Sequence, residues 1–279
     1  MADNPMEGGY SIFHETMADM TYPELEQAAR DGAVALWALG VIEQHGPHLP
    51  LGTDVYVPSA TLRAARRRLA DRGIASVIVP PFYWGVNHVT AQFPGSFEVR
   101  PEVMIELMKD VFRSLRKDGF GAVYCLSGHG DALHNQTILE GVKAGSAAAP
   151  IDGKLVVAPA MAKRLGFAED DPYLALTAAV PADDSPYLDI HAGRWETSFI
   201  SALYPDVVRD RIAAKLPPTN LGPADLAEWR KGREHAKRKT PDGYFGDPAA
   251  ASREKGLALL DQEATLVAES IAADRSRVR

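Results

Sequence analysis

The chain has 279 residues, with 30 Lys and Arg against 37 Asp and Glu, so its net charge is −7. We expect no general binding to nucleic acid or to an anionic membrane surface, because both need a positive field, and no apolar stretch approaches the roughly 20 residues that cross a bilayer. The single cysteine excludes an intrachain disulfide and a zinc site built on several cysteines, and together with an acidic N-terminus unlike a signal peptide it predicts a cytoplasmic protein.

Strand-like and helix-like patterns alternate along the chain. Short runs rich in apolar residues predict strands at 33–42, 75–79, 122–126 and 155–157. Apolar residues at helical spacing predict helices at 61–72, 101–117, 134–147, 195–204 and 255–272. The alternation is typical of βαβ units and therefore of an α/β fold with a mostly parallel sheet. In such sheets, ligands bind beyond the carboxyl ends of the strands.

Two segments show no such pattern. Residues 169–186 are rich in acid, Ala and Pro, which predicts a surface loop. Residues 230–239 form a basic run, and we interpret it as a solvated face or loop rather than as a nucleic-acid patch.

The first strand leads into a polar segment that contains Glu43, His45 and Asp54. Residues two apart on an extended chain point to the same side, so Glu43 and His45 can act together. Imidazole and carboxylate groups are ligands for Zn²⁺ or Mn²⁺. A polar loop with solvated acids would give the same spacing, so the segment alone leaves both interpretations open.

The third strand leads into Ser-Gly-His-Gly-Asp, which places His129 and Asp131 at its end. Glycines on both sides of a histidine let the backbone approach a ligand closely. A turn with a hydrogen-bonded histidine is the alternative. Asn135 follows in the next helix, where it either caps that helix or donates to a substrate.

A third cluster contains Asp189, His191 and Glu196, and it enters a predicted helix. A neutral histidine can move protons near pH 7. Helix capping by Asp189 and its polar neighbours is the alternative. Three clusters of histidine and carboxylate, each at a strand end or a helix start, together favour a functional site.

The remaining histidines carry weaker signals. His88 follows the second strand and either lines the same pocket or has a structural role. His14 and His235 lack an acidic or glycine-rich context and are predicted to lie on the surface. Cys125 lies within a predicted strand, which favours core packing over a role as nucleophile.

Several motifs, in this order, resemble those of the creatininase family of creatinine amidohydrolase-like proteins. They are EQHGPHLPLGTD at 43–54, FPGS at 93–96, GHG at 128–130, HAG at 191–193 with ETS at 196–198, and GDP at 246–248 with EKG at 254–256. The resemblance implies a three-layer αβα sandwich with a mostly parallel central sheet. It also implies one domain over residues 1–279 with a short N-terminal extension of about 20 residues, in an oligomer that is usually a hexamer.

The resemblance further implies a site with two divalent metal ions per subunit, Zn²⁺ or Mn²⁺ with Fe²⁺ as an alternative. The family's metal-ligand positions correspond to Glu43, His45, Asp54 and His129, with Asp54 between the two ions. Asp131 is a candidate fifth ligand, because creatininase carries a glutamate near the last of these histidines. His191 corresponds to the catalytic histidine. Its partner Glu196 either orients it or reaches a metal.

The implied activity is hydrolysis of a small cyclic substrate, in which hydroxide activated by the metals attacks a carbonyl and opens a cyclic amide. His191 then delivers a proton to the leaving group. One alternative is a hydrolase that breaks a C–C bond of a cyclic polyol ketone such as an inosose. Another is a metal-binding assembly subunit without catalysis. The candidate substrate-binding residues are His88, Asn135, Arg194 and Trp195. Arg194 either favours a polar or anionic substrate or makes a surface ion pair, and Trp195 either walls the pocket or packs in the core.

Overall fold

The structure is a computed structural model that describes residues 13–180 and 185–277. Most of the predicted N-terminal extension lies outside these residues. The described part contains a five-stranded sheet in the order β2-β1-β3-β4-β5, with every neighbouring pair parallel. Its strands are β1 Val34–Leu39, β2 Ser76–Phe82, β3 Ala122–Ser127, β4 Asp152–Val157 and β5 Leu174–Leu176.

Helices cover both faces of this sheet. They are α1 Tyr22–Arg30, α2 Thr53–Asp71, α3 Pro101–Lys117, α4 Ala132–Ala148, α5 Pro159–Leu165, α6 Arg194–Leu203, α7 Asp210–Ala213, α8 Pro223–Trp229, α9 Glu234–Lys239 and α10 Arg253–Arg277. Single 3₁₀ turns occur at Met17–Asp19, Pro205–Val207 and Pro248–Ala250.

Alternate residues of the central strand face two separate cores. From β1, Trp37 packs with α3 and α4 on one face, whereas Leu36 packs with α2 and α10 on the other. Since successive side chains of a strand point to opposite faces, a strand buried on both sides reads as one continuous apolar run. The predicted αβα sandwich with a parallel sheet is therefore confirmed.

The strand order places the loops after β1 and β3 side by side. Leu39 pairs with Ser127 at the ends of these two strands, and the N–H of Gly128 donates to the Leu39 carbonyl over 2.8 Å. A Cβ on Gly40 or on Gly128 would lie 2.2 or 2.1 Å from the carbonyl oxygen of Asp54. Only glycine at these two positions therefore lets the start of α2 pack directly on the strand ends.

The boundaries of several elements differ from the sequence-based expectation. The helix predicted at 61–72 begins earlier, at Thr53, and contains Pro58. The segment 169–186, predicted as a loop, contributes the edge strand β5, while residues 181–184 lie outside the described part. The basic run 230–239 ends in the short helix α9. Cys125 is fully buried in the core, and no helix in the described ranges is long and apolar enough to cross a membrane.

Candidate active site

Asp54 lies between two histidines at the start of α2. Its Oδ1 is 3.2 Å from Nε2 of His45, and its Oδ2 is 3.0 Å from Nδ1 of His129. All three residues are buried. His45 comes from the loop after β1 and His129 from the loop after β3, so the strand order itself brings the two imidazoles to opposite sides of one carboxylate.

Glu43 completes this group from the loop that follows β1. It is fully buried, and the Thr90 hydroxyl donates to its Oε2. Its other oxygen, Oε1, lies 3.2 Å from Nδ1 of His129 and 3.5 Å from Nδ1 of His191. Thr90 therefore fixes the carboxylate so that one oxygen faces the histidines.

Glu196, in the first turn of α6, approaches the cluster from the other side. Its Oε2 accepts the N–H of Ala192 over 2.5 Å and lies 3.7 Å from Nε2 of His45. Ala192 has a φ of +49°, in the left-handed region that is costly for a residue with a side chain. Burial raises the pKa of Glu196 to about 7. The strained turn thus holds a carboxyl group inside the site.

Four buried atoms of this cluster make no well-aligned hydrogen bond: Oε1 of Glu43, Nε2 of His45, Oδ2 of Asp54 and Nε2 of His129. Buried polar atoms without partners are costly unless a ligand satisfies them. Two sets of ligand atoms, each within 4.8 Å of one another, share Asp54: Glu43, Asp54 and His129 form one, and His45, Asp54 and Glu196 the other. Oxygen and imidazole nitrogen donors of this kind fit Zn²⁺ or Mn²⁺.

The charges of the cluster also fit the binding of cations. Burial alone would lower the pKa of His45, but Asp54, Glu196 and Glu43 raise it to about 10. The pKa of His129 is also raised, against the effect of burial, by Glu43 and Asp54. Buried carboxylates therefore require positive charge between them, which either protons or metal ions supply.

His191 lies against the cluster and is held by its backbone and its ring. Its N–H and carbonyl pair with Phe245, as an isolated antiparallel bridge. Its Nε2 is 2.8 Å from the Gln44 carbonyl and 3.1 Å from the Gln44 side-chain nitrogen. A carbonyl only accepts, so the shorter contact assigns the proton to Nε2 and leaves the Nδ1 lone pair facing Glu43. Burial, reinforced by the charge on His45, lowers the pKa of His191 to about 4.

Asp131 belongs to the cavity wall and not to either set that shares Asp54. Its Oδ2 accepts the N–H groups of His88 and Val89, and its Oδ1 accepts that of Leu133 at the start of α4. Burial would raise the pKa of Asp131, but His129 and these three amides outweigh it and keep the pKa below its usual range. Both oxygens are therefore engaged by the backbone.

A cavity of about 440 Å³ opens beside the cluster, and its walls include His88 but not the other three candidate substrate-binding residues. Asn135 donates from Nδ2 to the carbonyls of His129 and Asp131, over 2.7 and 2.8 Å. The N–H of Arg194 donates to Asp189 within the capping turn of α6. Trp195 stacks on Phe199 with 5.6 Å between ring centroids.

Several polar residues near the cluster were not predicted as site residues, although Gln44, His48 and Thr197 lie within the motifs that carry the family resemblance. Thr90 fixes Glu43, and the Gln44 carbonyl fixes the His191 ring. His48 bonds Thr197 over 2.8 Å, and His134 packs edge-on against His129 with 5.2 Å between ring centroids. Burial lowers the pKa of His48 to about 4 and that of His134 to about 3, so both are neutral supports.

A model of the creatininase family, described as creatinine amidohydrolase, matches residues 18–271. The creatinine amidohydrolase of Pseudomonas putida is 26% identical, over 91% of this chain and 95% of that protein. The mycofactocin precursor peptide peptidase of Mycobacterium ulcerans is 29% identical, over 78% and 76%. The 3-dehydro-scyllo-inosose hydrolase of Thermotoga maritima is 24% identical, over 78% of this chain and 64% of that protein.

Solved structures of creatininases share the fold. A creatininase described with Mn superposes with a TM-score of 0.69 at 21% identity, over 93% of this chain and 98% of that one. A mutant creatininase of the Zn-Zn type superposes with a TM-score of 0.68 at 23% identity, over 95% and 99%.

Proposed function

The chain belongs to the creatininase family of hydrolases, and from that premise we propose that it opens a small cyclic amide by hydrolysis of the C–N bond. The observation that carries the proposal is the pair of buried donor sets that share Asp54 on one wall of a small-molecule-sized cavity. A cavity of this size and polarity suits a compact substrate that exposes one carbonyl to the cluster.

We propose that the donor sets hold two divalent ions, Zn²⁺ or Mn²⁺. Glu43, Asp54 and His129 would hold one, and His45, Asp54 and Glu196 the other. When bound, such ions supply Lewis acidity toward a carbonyl and make water a stronger nucleophile at neutral pH. In this proposal Asp131 is not a ligand, because three backbone amides already engage its oxygens.

His191 is the proposed proton carrier. With its proton on Nε2 and bonded to the Gln44 carbonyl, its Nδ1 is free to take a proton from the attacking water and pass it to the leaving nitrogen. Its low pKa keeps the ring neutral at pH 7, which is the form that accepts a proton. The paired backbone of His191 and Phe245 holds the ring at one place during both transfers.

The rival within enzymes, cleavage of a cyclic polyol ketone, would need free polar side chains for the hydroxyl groups. Asn135 is bonded to two backbone carbonyls, and His88 donates from Nε2 to the Lys231 carbonyl over 3.1 Å. These polar side chains, which could otherwise bind the hydroxyl groups of a polyol, are engaged by the protein itself, which favours the amide.

The test is incubation of the protein, loaded separately with Zn²⁺ and Mn²⁺, with creatinine, other cyclic amides, peptide amides and inososes. We expect ring opening of a cyclic amide, and activity on the ketone alone would reject the amide assignment. His191→Ala is expected to lower kcat by roughly 10²- to 10⁴-fold, with metal content unchanged. The matched control is His14→Ala, at an exposed histidine. Equal behaviour of the two variants would favour the assembly subunit without catalysis.

A further inference from the structure

The charged groups that line the cavity divide into acids that accept hydrogen bonds or belong to the proposed metal site and arginines that form no ion pair with a described carboxylate. The acids are Glu43, Asp54, Asp131, Asp189 and Glu196. Three of them belong to the proposed metal site, and the other two accept backbone amides at the starts of α4 and α6. The arginines are Arg164 and Arg230, both exposed at the cavity wall, and among the described residues neither forms an ion pair with a carboxylate.

Arg164, near the end of α5, is anchored beside a proposed metal ligand. Its Nη2 donates to the carbonyl of Gly130 over 2.9 Å, and Gly130 directly follows His129. Its partial burial and the like charge of Arg230 lower the pKa of Arg164. The guanidinium of Arg164 thus keeps several N–H donors available next to the cluster. The positive charge of Arg230 lies nearby.

Arg230 lines the same cavity and lies in a segment that packs near the proposed proton carrier. It directly follows Trp229, whose ring centroid lies 5.9 Å from that of His191. The segment after it is clamped, because His88 donates to the Lys231 carbonyl and the N–H of Arg233 donates to Val89 over 2.9 Å. His88 therefore positions the arginine segment.

We propose that Arg164 and Arg230 together bind a carboxylate on the substrate, so that the substrate class is a small cyclic amide that carries a carboxylate. This inference rests on the hydrolase function proposed above. An anion between two guanidinium groups of like charge relieves the repulsion between them. The planar fork of Arg also forms paired, charge-assisted hydrogen bonds with a carboxylate. A carboxylate also suits the cavity better than a phosphate dianion, because five acids line the same walls.

The location of the pair explains what the anion contributes. Arg164 donates to the carbonyl of the residue after His129, and Arg230 directly follows Trp229, whose ring lies near that of His191. A carboxylate held between them would orient the ring so that its carbonyl faces both the metal donors and the proton carrier. Recognition of an anionic substrate, expected at Arg194, is thereby assigned to two other arginines, since Arg194 does not line this cavity.

The experiment compares two cyclic amides that differ in one charge, hydantoin-5-acetate and hydantoin-5-acetamide, on the metal-loaded protein. We expect kcat/KM for the acid to exceed that for the amide by about tenfold or more. Arg164→Gln and Arg230→Gln should each lower kcat/KM for the acid by roughly 10- to 100-fold, with less than a twofold change for the neutral amide. Lys163→Gln, at an exposed neighbour of Arg164 outside the cavity wall, is the matched control and should leave both values unchanged.

Calorimetric binding of the same two compounds separates this inference from the proposed function. If neither compound is turned over, but the acid binds more tightly and loses that advantage in Arg164→Gln, the carboxylate site stands and the activity on these rings does not. If both are turned over without preference for the acid, the carboxylate site is rejected and the hydrolase remains. A loss that is equal for acid and amide in both arginine variants would show a structural role and would also reject the inference.

Discussion

At the scale of single residues, the site depends on carboxylates whose two oxygens have different partners. Asp54 presents one oxygen to His45 and the other to His129, while Glu43 gives one oxygen to Thr90 and keeps one for the cluster. When one oxygen of a carboxylate accepts a strong hydrogen bond, the orientation of the group is fixed. Its other oxygen is then held in place to bind a metal ion. By the same reasoning, Asp131, whose oxygens both accept amides, is a support of the loop and not a ligand in our proposal.

This distinction gives a direct test with two acids. Glu196→Gln should lose one of the two proposed ions, because it removes the charge from the set formed with His45 and Asp54. Asp131→Asn should keep both ions and mainly loosen the loop that bears His88. Metal content per chain, measured by plasma mass spectrometry after dialysis against metal-free buffer, checks both. Loss of metal in Asp131→Asn with retention in Glu196→Gln would reverse the assignment.

The sequence was sufficient to predict that these residues lie close together, but not to predict where their side chains point. Family motifs and strand ends pointed to Glu43, His45, Asp54, His129, His191 and Glu196, and the structure gathers all six. Whether Asp131 turns toward the proposed metal site or toward the amides of 88–89 depends on a loop that lies 42 to 43 residues away in sequence, so spacing alone cannot decide it. The supports Thr90 and Gln44 act through one hydroxyl and one carbonyl, groups that leave no pattern in a single sequence.

At the scale of elements, the bounds of a helix or strand were predicted correctly where residues such as Pro and Gly mark its ends in the sequence. Helix α3 has the predicted bounds because Pro101 begins it and Gly119 follows its end. The start of α2 was missed because Pro58 inside a helix and glycine before it both suggest a loop. Strand β5 was missed because a three-residue edge strand takes its stability from pairing with β4 and not from its own sequence.

The close contact of α3 and α4 gives a prediction about packing. A Cβ on Gly145 of α4 would lie 2.6 Å from ring atoms of Phe112, which is fully buried. Gly145→Ala should therefore lower the free energy of unfolding by about 1–2 kcal/mol, since overpacking outweighs the gain of roughly 1 kcal/mol in helix propensity. Urea denaturation measures the change. Gly121→Ala, where a Cβ would meet no atom within 4 Å, is the control, and a stabilised Gly145→Ala would contradict the packing argument.

At the scale of the whole molecule, the hexamer implied by the family resemblance remains a prediction. An apolar surface of Leu51, Trp84 and Phe97 is about half exposed, and the Trp84 and Phe97 rings meet edge-on with 5.4 Å between centroids. Such a surface is typical of a buried contact between subunits. Sedimentation velocity should show an assembly larger than one chain, which Trp84→Ser combined with Phe97→Ser should weaken. Tyr22→Ser, at an isolated exposed tyrosine, is the control, and a monomeric wild-type protein would reject the prediction.

The proposed ions should also stabilise the fold as a whole, because their donors come from elements far apart in the chain. Glu43 and His45 follow β1, Asp54 begins α2, His129 follows β3, and Glu196 lies in α6. A ligand that binds only the folded state adds stability by mass action, and its removal leaves protons on His45 and His129 to balance the neighbouring carboxylates. We therefore expect a chelator to lower the thermal midpoint by about 5 °C or more and added Zn²⁺ or Mn²⁺ to restore it.

Asp54→Asn provides the decisive comparison for this effect. Because Asp54 belongs to both donor sets, the variant should bind metal weakly, and its thermal midpoint should hardly respond to chelator. In the metal-free state Asp54 lies between His45 and His129, whose raised pKa values keep both rings charged, so the loss of its negative charge should make chelated Asp54→Asn melt below chelated wild type. Differential scanning calorimetry of both proteins, with and without chelator, measures these four midpoints. A chelator response in Asp54→Asn as large as in the wild type would mean that the stabilising ion is bound elsewhere.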